Sequence, residues 1–274
     1  MNKKLIAFTL ICVAVLSTLT ACKSNNTNDT TKATDADKAS SATSVTFATV
    51  DEVPATITNA DAQYQLIAEK VSTWKLKEFD TTDEPETFKY AVTDLDNDGK
   101  LEIFSATCAS SNRATSTILC EVNDDCSDLI IRHETDKYSE DAEADFIVDS
   151  TDCFINPETM ERFFICQNSL AYSGDEILLT KGYFTLLDEY LDKRTLATKT
   201  HQSDGVIFDD FDDNVLTEEE FNNITDVSFA GYAKLTATFG WIDFRGVDDS
   251  AAIDLTTDAL VDNLKASFEK FSVK

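Results

Sequence analysis

From Phe88 to Leu187 the chain breaks into short runs of β-branched and aromatic residues, separated at short intervals by Gly, Asn, Asp and Ser. Phe88, Tyr90 and Val92 alternate with more polar neighbours. Leu101–Ala106, Thr117–Val122, Leu129–Arg132, Phe146–Val148, Phe163–Cys166, Glu176–Thr180 and Tyr183–Leu187 continue the series. Apolar residues at period two, bounded by turn formers, predict strands joined by hairpins and meanders. No strand–helix–strand alternation runs through this region, which argues against a doubly wound parallel sheet.

Helices are expected towards both ends. Between Asn59 and Phe79, Tyr64, Ile67, Val71 and Trp74 recur at three- and four-residue spacing, with Asn59 placed to cap the start. Thr217 and Glu220 have the spacing of a capping box, followed by Phe221 and Ile224. From Thr257 to Phe271, Leu260, Leu264, Phe268 and Phe271 share one face. Leu235–Phe244 reads as extended. The fold class is α+β: a mainly antiparallel sheet flanked by N- and C-terminal helices.

Ahead of this pattern the composition changes twice. Lys3 and Lys4 precede an apolar run from Leu5 to Leu16, and small residues follow, which reads as a secretory signal over residues 1–21. Leu19-Thr20-Ala21-Cys22 resembles the lipobox of bacterial lipoproteins. The resemblance implies that Cys22 is the first mature residue and carries a diacylglyceryl group on sulfur, holding the protein on the extracytoplasmic face of the cell membrane. The alternative, an uncleaved membrane helix, needs about 20 apolar residues, and Ser17, Thr18 and Thr20 interrupt this shorter run. Lys23 to Ser44 contains only Lys, Ser, Asn, Thr, Asp and Ala, too little apolar surface to offset the entropy of ordering. Residues 22–58 therefore read as a lipidated cysteine and tether, with order beginning weakly around Val45–Val53. Residues 59–274 read as one α+β domain.

The formal net charge is −28, and loss of residues 1–22 removes two lysines and no acid. Such a surface repels nucleic acid and anionic lipid and attracts cations, although acidity alone also serves solubility. Besides Cys12 and Cys22 the cysteines are Cys108, Cys120, Cys126, Cys153 and Cys166. They form no C-x-x-C pair, and His133 and His201 are far apart, so a zinc site is not indicated. Cys153 and Cys166 flank a turn at Asn156–Thr159, where either a cross-strand bridge or two buried thiols fit the sequence.

The sharpest chemical signal is Asp94-Leu95-Asp96-Asn97-Asp98-Gly99-Lys100-Leu101-Glu102. Calcium takes six to eight oxygens, and carboxylates at alternate positions of a tight loop can converge on one point. Asp94, Asp96, Asp98 and Glu102 offer side-chain oxygens, Lys100 a backbone carbonyl, and Gly99 the sharp turn. An EF-hand would place glutamate at the twelfth position, where Ser105 stands, and both flanks read as strands. The acid at the ninth position instead resembles the strand–loop–strand calcium loops of integrin-type FG-GAP repeats. The alternative is a polar hairpin turn without metal, which leaves three like charges crowded together. A weaker acidic stretch, Asp209–Glu220, has Phe211 in place of a third ligand and Asn214 in place of the turn glycine, and its capping box explains the same residues without an ion.

Phe88–Thr93 leading into the aspartate loop, then Cys120–Cys126, Leu216–Phe221 and Thr238-Phe239-Gly240-Trp241, resemble a group of uncharacterised calcium-loop lipoproteins of Gram-positive anaerobes. The resemblance implies an anchored domain with a calcium loop and assigns no catalytic residue. Consistent with that, the sequence has no G-x-S-x-G elbow, H-E-x-x-H helix or glycine-rich phosphate loop. His133 reads as a strand-end residue, and Trp74 and Trp241 as core aromatics. The expectation is a non-catalytic module that binds a cell-surface protein or glycan. The alternatives are an envelope-associated hydrolase and a transporter's solute-binding lipoprotein.

Overall fold

The strand-like runs pair into antiparallel ladders, and these divide between two sheets. A computed structural model describes residues 45–75, 87–108, 114–135, 148–171, 177–187, 190–202, 205–244 and 257–274. The first sheet contains β1 (Thr87–Thr93), β2 (Glu102–Cys108), β3 (Ala114–Val122), β4 (Leu129–Glu134) and β11 (Ile242–Phe244), in the order β11-β1-β2-β3-β4. The second contains β5 (Ser150–Ile155), β6 (Arg162–Ala171), β7 (Ile177–Leu186), β8 (Leu191–Gln202), β9 (Gly205–Asp210), β10 (Ala233–Thr238) and β12 (Ser272–Val273), in the order β12-β10-β5-β6-β7-β8-β9. The helices are α1 (Ala60–Glu69), α2 (Val71–Trp74), α3 (Glu218–Ser228) and α4 (Thr257–Phe268). This is the expected α+β fold dominated by antiparallel sheet.

The five-stranded sheet is covered on both faces. Tyr90, Val92, Ile103, Ile118, Cys120 and Val122 pack against Tyr64, Ile67, Trp74, Leu260 and Leu264 of the helices. Phe104 and Leu119 point the other way and join Phe164, Phe184 and Phe239 between the sheets. A strand buried on both sides needs apolar residues at successive positions, which is why Leu101–Ala106 shows little alternation. Trp74 and Trp241 are core aromatics, donating to the carbonyls of Ile67 and Val148 at 2.8 and 2.9 Å. Ser267 pins α4 to the sheet: its hydroxyl accepts from Val92 N at 2.9 Å and donates to Gly240 O at 2.6 Å.

Several local expectations differ from the structure. The first helix breaks at Lys70, and residues 76–79 of its expected span lie outside the described residues. Asn59 makes no side-chain cap bond; its backbone is left-handed (φ 53°) where a capping residue is extended. Phe146 and Ile147 lie outside the described residues, Val148 is not in a strand, and the strand is Ser150–Ile155. The runs expected on either side of Lys181 and Gly182 form one strand, β7. Gly182 faces the irregularity where Leu196 of β8 is skipped, and a Cβ there would lie 2.5 Å from Arg194 O. Cys153 stands opposite Phe164, not Cys166, and no disulfide joins the two; burial pushes the Cys153 thiol up to about 12. Among the described residues no helix is long and apolar enough to cross a membrane.

Candidate metal centre

Thr93 and Glu102 are the last paired residues of the β1–β2 ladder, so residues 94–101 form the hairpin loop. Its two leucines fix it at both ends. Leu95 is buried in the core between the sheets, and Leu101 in the core beneath the helices. With those side chains committed in opposite directions, the intervening acids turn inward on one another. Asn97 (φ 64°) and Gly99 (φ 86°) supply the left-handed backbone that closes the turn.

One ligand atom from each of Asp94, Asp96, Asp98 and Glu102 falls within 4.8 Å of the others. Asp98 N donates to Asp96 Oδ1 at 3.2 Å, Gly99 N to Asp94 Oδ1 at 3.4 Å, and Lys100 N to Asp98 Oδ1 at 2.8 Å. Glu102 is wholly buried. Its Oε2 accepts from Leu95 N at 2.7 Å and Thr93 Oγ1 at 3.0 Å, whereas Oε1 is buried with no hydrogen-bond partner.

The electrostatics match this crowding. Burial, then the charges of Asp98, Glu121 and Asp94, push Asp96 up to about 7. Burial likewise pushes Asp94 up to about 6. Burial, with the charges of Asp96 and Asp94 added, raises Glu102 well above the usual carboxylate range. These groups ionise together only when positive charge is brought to them.

Two residues that the sequence did not single out complete the surroundings. Glu121 is opposite Glu102 on β3 and is also buried. Arg132 grips it with two bonds, Nε to Oε2 at 2.8 Å and Nη2 to Oε1 at 3.2 Å. The signal available was an acid inside the apolar run Ile118–Val122. Lys100, expected to offer its carbonyl, also directs its ammonium to Asp98 at 2.8 Å, Asp124 at 3.1 Å and Glu121 at 3.2 Å. Burial works against that charge, but the hydrogen bonds to Asp98, Asp124 and Glu121 outweigh it and raise the Lys100 pKa. Among the described residues, Arg162 approaches the loop from β6, but its hydrogen bonds go to the backbone oxygens of Asp94 and Leu95 and to the Glu52 carboxylate. The cluster can hold a metal ion, and an all-oxygen donor set suits a hard one.

The second acidic stretch bonds within itself at Asp210 and at Thr217–Glu220. Asp210 accepts from the backbone of Asp212 and from the backbone and side chain of Asn214, while Thr217 and Glu220 form the expected capping box. The chain matches no known family, no curated protein and no solved structure. The likeness to lipoproteins of Gram-positive anaerobes therefore rests only on the residues that carry it.

Proposed function

We propose that the Asp94–Glu102 hairpin binds calcium as a structural ion. The observation that carries this reading is the Glu102 carboxylate, wholly buried, with one oxygen held by Thr93 and Leu95 and the other without a partner inside a cluster of three aspartates. A buried anion without compensation costs several kcal/mol, and an ion of charge +2 removes that cost. Four carboxylates in an irregular loop favour calcium, whose coordination is flexible, over magnesium, which demands a near-octahedral shell. Asp94, Asp96, Asp98 and Glu102 supply side-chain oxygens and Lys100 its carbonyl. Titration calorimetry and thermal melting test this directly: calcium should give heat and raise the melting temperature of the parent, and Asp96→Ala should abolish both. An equal calcium response in parent and variant would remove the loop from the proposal.

Around this site we read the chain as an extracytoplasmic lipoprotein anchored through Cys22, with its domain acting as a non-catalytic module for a cell-surface protein or glycan. The Lys3-Lys4 start, the apolar run and Leu19-Thr20-Ala21-Cys22 support the anchor. A single lipid chain holds only marginally, so more than one acyl chain is expected on the mature N-terminus. Mass spectrometry of the N-terminal peptide should find diacylglyceryl on Cys22, and Cys22→Ala should leave the protein unlipidated. For the module, calcium-dependent retention on isolated cell-wall glycan is the outcome to measure.

A further inference from the structure

Residues 45–57 lead into the domain and pass across the metal loop. Their upstream part is fixed to β10 and its approach: Ala48 bridges Ala233, Ala48 N donates to Tyr232 O at 2.9 Å, and Gly231 N donates to Thr46 O at 2.9 Å. Downstream, the hydrogen bonds of Val53 and Ala55 go to the loop itself. Asn97 Oδ1 accepts from Ala55 N at 2.6 Å, and Asn97 Nδ2 donates to Val53 O at 3.1 Å. Thr56 O lies so near Gly99 that a Cβ there would be 2.9 Å from it. Gln63 Nε2 joins Thr58 O to Gly99 O, at 2.9 and 3.1 Å, while its Oε1 accepts from Leu101 N at 2.7 Å. Glu52 pairs with Arg162, which also holds the carbonyls of Asp94 and Leu95.

The groups that hold this strap alternate with the groups that face the cation. Asn97 lies between Asp96 and Asp98, and Gly99 follows Asp98; both have the positive φ that closes the loop. The conformation that converges the carboxylates is therefore the one that presents Asn97 and Gly99 to the strap. At its two ends Glu52 pairs with Arg162 and Ile57 packs against the helix-covered core, whereas between them Val53 is exposed and depends on Asn97. We propose that cation binding in the loop locks residues 52–57 onto the domain and that cation loss releases them. This rests on the cation reading above. Without the ion, the carboxylates repel and the loop opens, carrying Asn97 and Gly99 away from the strap. Thermodynamic reciprocity adds a quantitative condition: the docked strap raises cation affinity by the same factor by which the cation tightens the strap.

The test is hydrogen exchange of the full chain in calcium and in chelator, read at Ala55 and across residues 52–57, alongside calorimetry. Calcium should slow exchange at Ala55 at least tenfold. Asn97→Gly keeps the left-handed backbone and all four carboxylates but deletes both side-chain bonds to the strap. In that variant exchange over 52–57 should be fast in both buffers, with calcium affinity weakened by the factor that the parent's protection gained. Calcium heat in the parent with unchanged exchange over 52–57 overturns the strap. Absence of any calcium heat instead overturns the cation reading and the strap with it, so the two failures are distinct.

Discussion

Glu102 and Glu121 stand directly opposite each other on β2 and β3, at 0% and 2% exposure, yet only Glu121 is held by positive side chains. Arg132 and Lys100 both bond to Glu121, whereas Glu102 has only a hydroxyl and a backbone amide on one oxygen. Two buried glutamates facing one another are unfavourable unless each is neutralised. The protein supplies its own cations to one and none to the other, where a metal ion could take their place.

Removing the Glu102 charge should therefore separate two effects. In chelator, Glu102→Gln is expected to melt at or above the parent, because a buried unpaired carboxylate is gone. In calcium the order should reverse. A ligand at a hundred times its Kd adds about 2.7 kcal/mol, or roughly 5–10 °C for a domain of this size, and the variant should lose most of that gain. Paired melting curves in the two buffers check both halves.

The pH dependence should change sign with the ion. Asp96 and Asp94 are pushed above their ordinary value, to about 7 and about 6. Between the unfolded value and these, the metal-free folded state binds more protons than the unfolded chain, so its stability falls as pH rises from about 4 to 7. Calcium competes with those protons, so its stabilising increment should be full at pH 8 and nearly absent at pH 5. Melting temperature against pH, with and without calcium, gives the crossing curves.

Gly99→Ala should weaken the site without touching a ligand. An L side chain at φ 86° costs about 1–2 kcal/mol, and its Cβ would press on Thr56 O at 2.9 Å. We expect a drop of several degrees in melting temperature together with weaker calcium binding by calorimetry.

Thr217→Ala provides the contrast. Its hydroxyl accepts from Glu220 N, and the Glu220 carboxylate accepts from Thr217 N at 2.7 Å. Loss of this cap should cost about 1 kcal/mol while leaving the calcium increment intact. A changed calcium response would assign the second acidic stretch a part in metal binding.

Much of this was legible from spacing alone. Asp94, Asp96, Asp98, Gly99 and Glu102 lie within one turn of chain, so their convergence is a local matter that period and turn chemistry disclose. The Thr217–Glu220 cap is legible for the same reason. Glu121 was not, because only the β2–β3 register brings it beside Glu102, and register depends on partners distant in sequence. Ser150–Ile155 escaped because it opens with Ser, Thr and Asp, and its apolar character appears only at Cys153. β8 escaped because only Leu191 and Ala197 in it are fully buried, and its half-buried or exposed positions carry Lys, Arg and Thr. The division into two sheets was likewise invisible: Phe104 and Ile103 are equally apolar neighbours, and the sequence does not say that each serves a different core.

The pinning of Thr46 and Ala48 to β10 and its approach also bears on distance. In a chain held at Cys22 as proposed, the docked segment adds almost nothing to the leash. Because Thr46 and Ala48 stay bonded to Gly231 and Tyr232, release of residues 52–57 opens only a short loop fixed at both ends and leaves the reach unchanged. The ion would thus change the surface around the hairpin without changing how far from the bilayer the globule can roam.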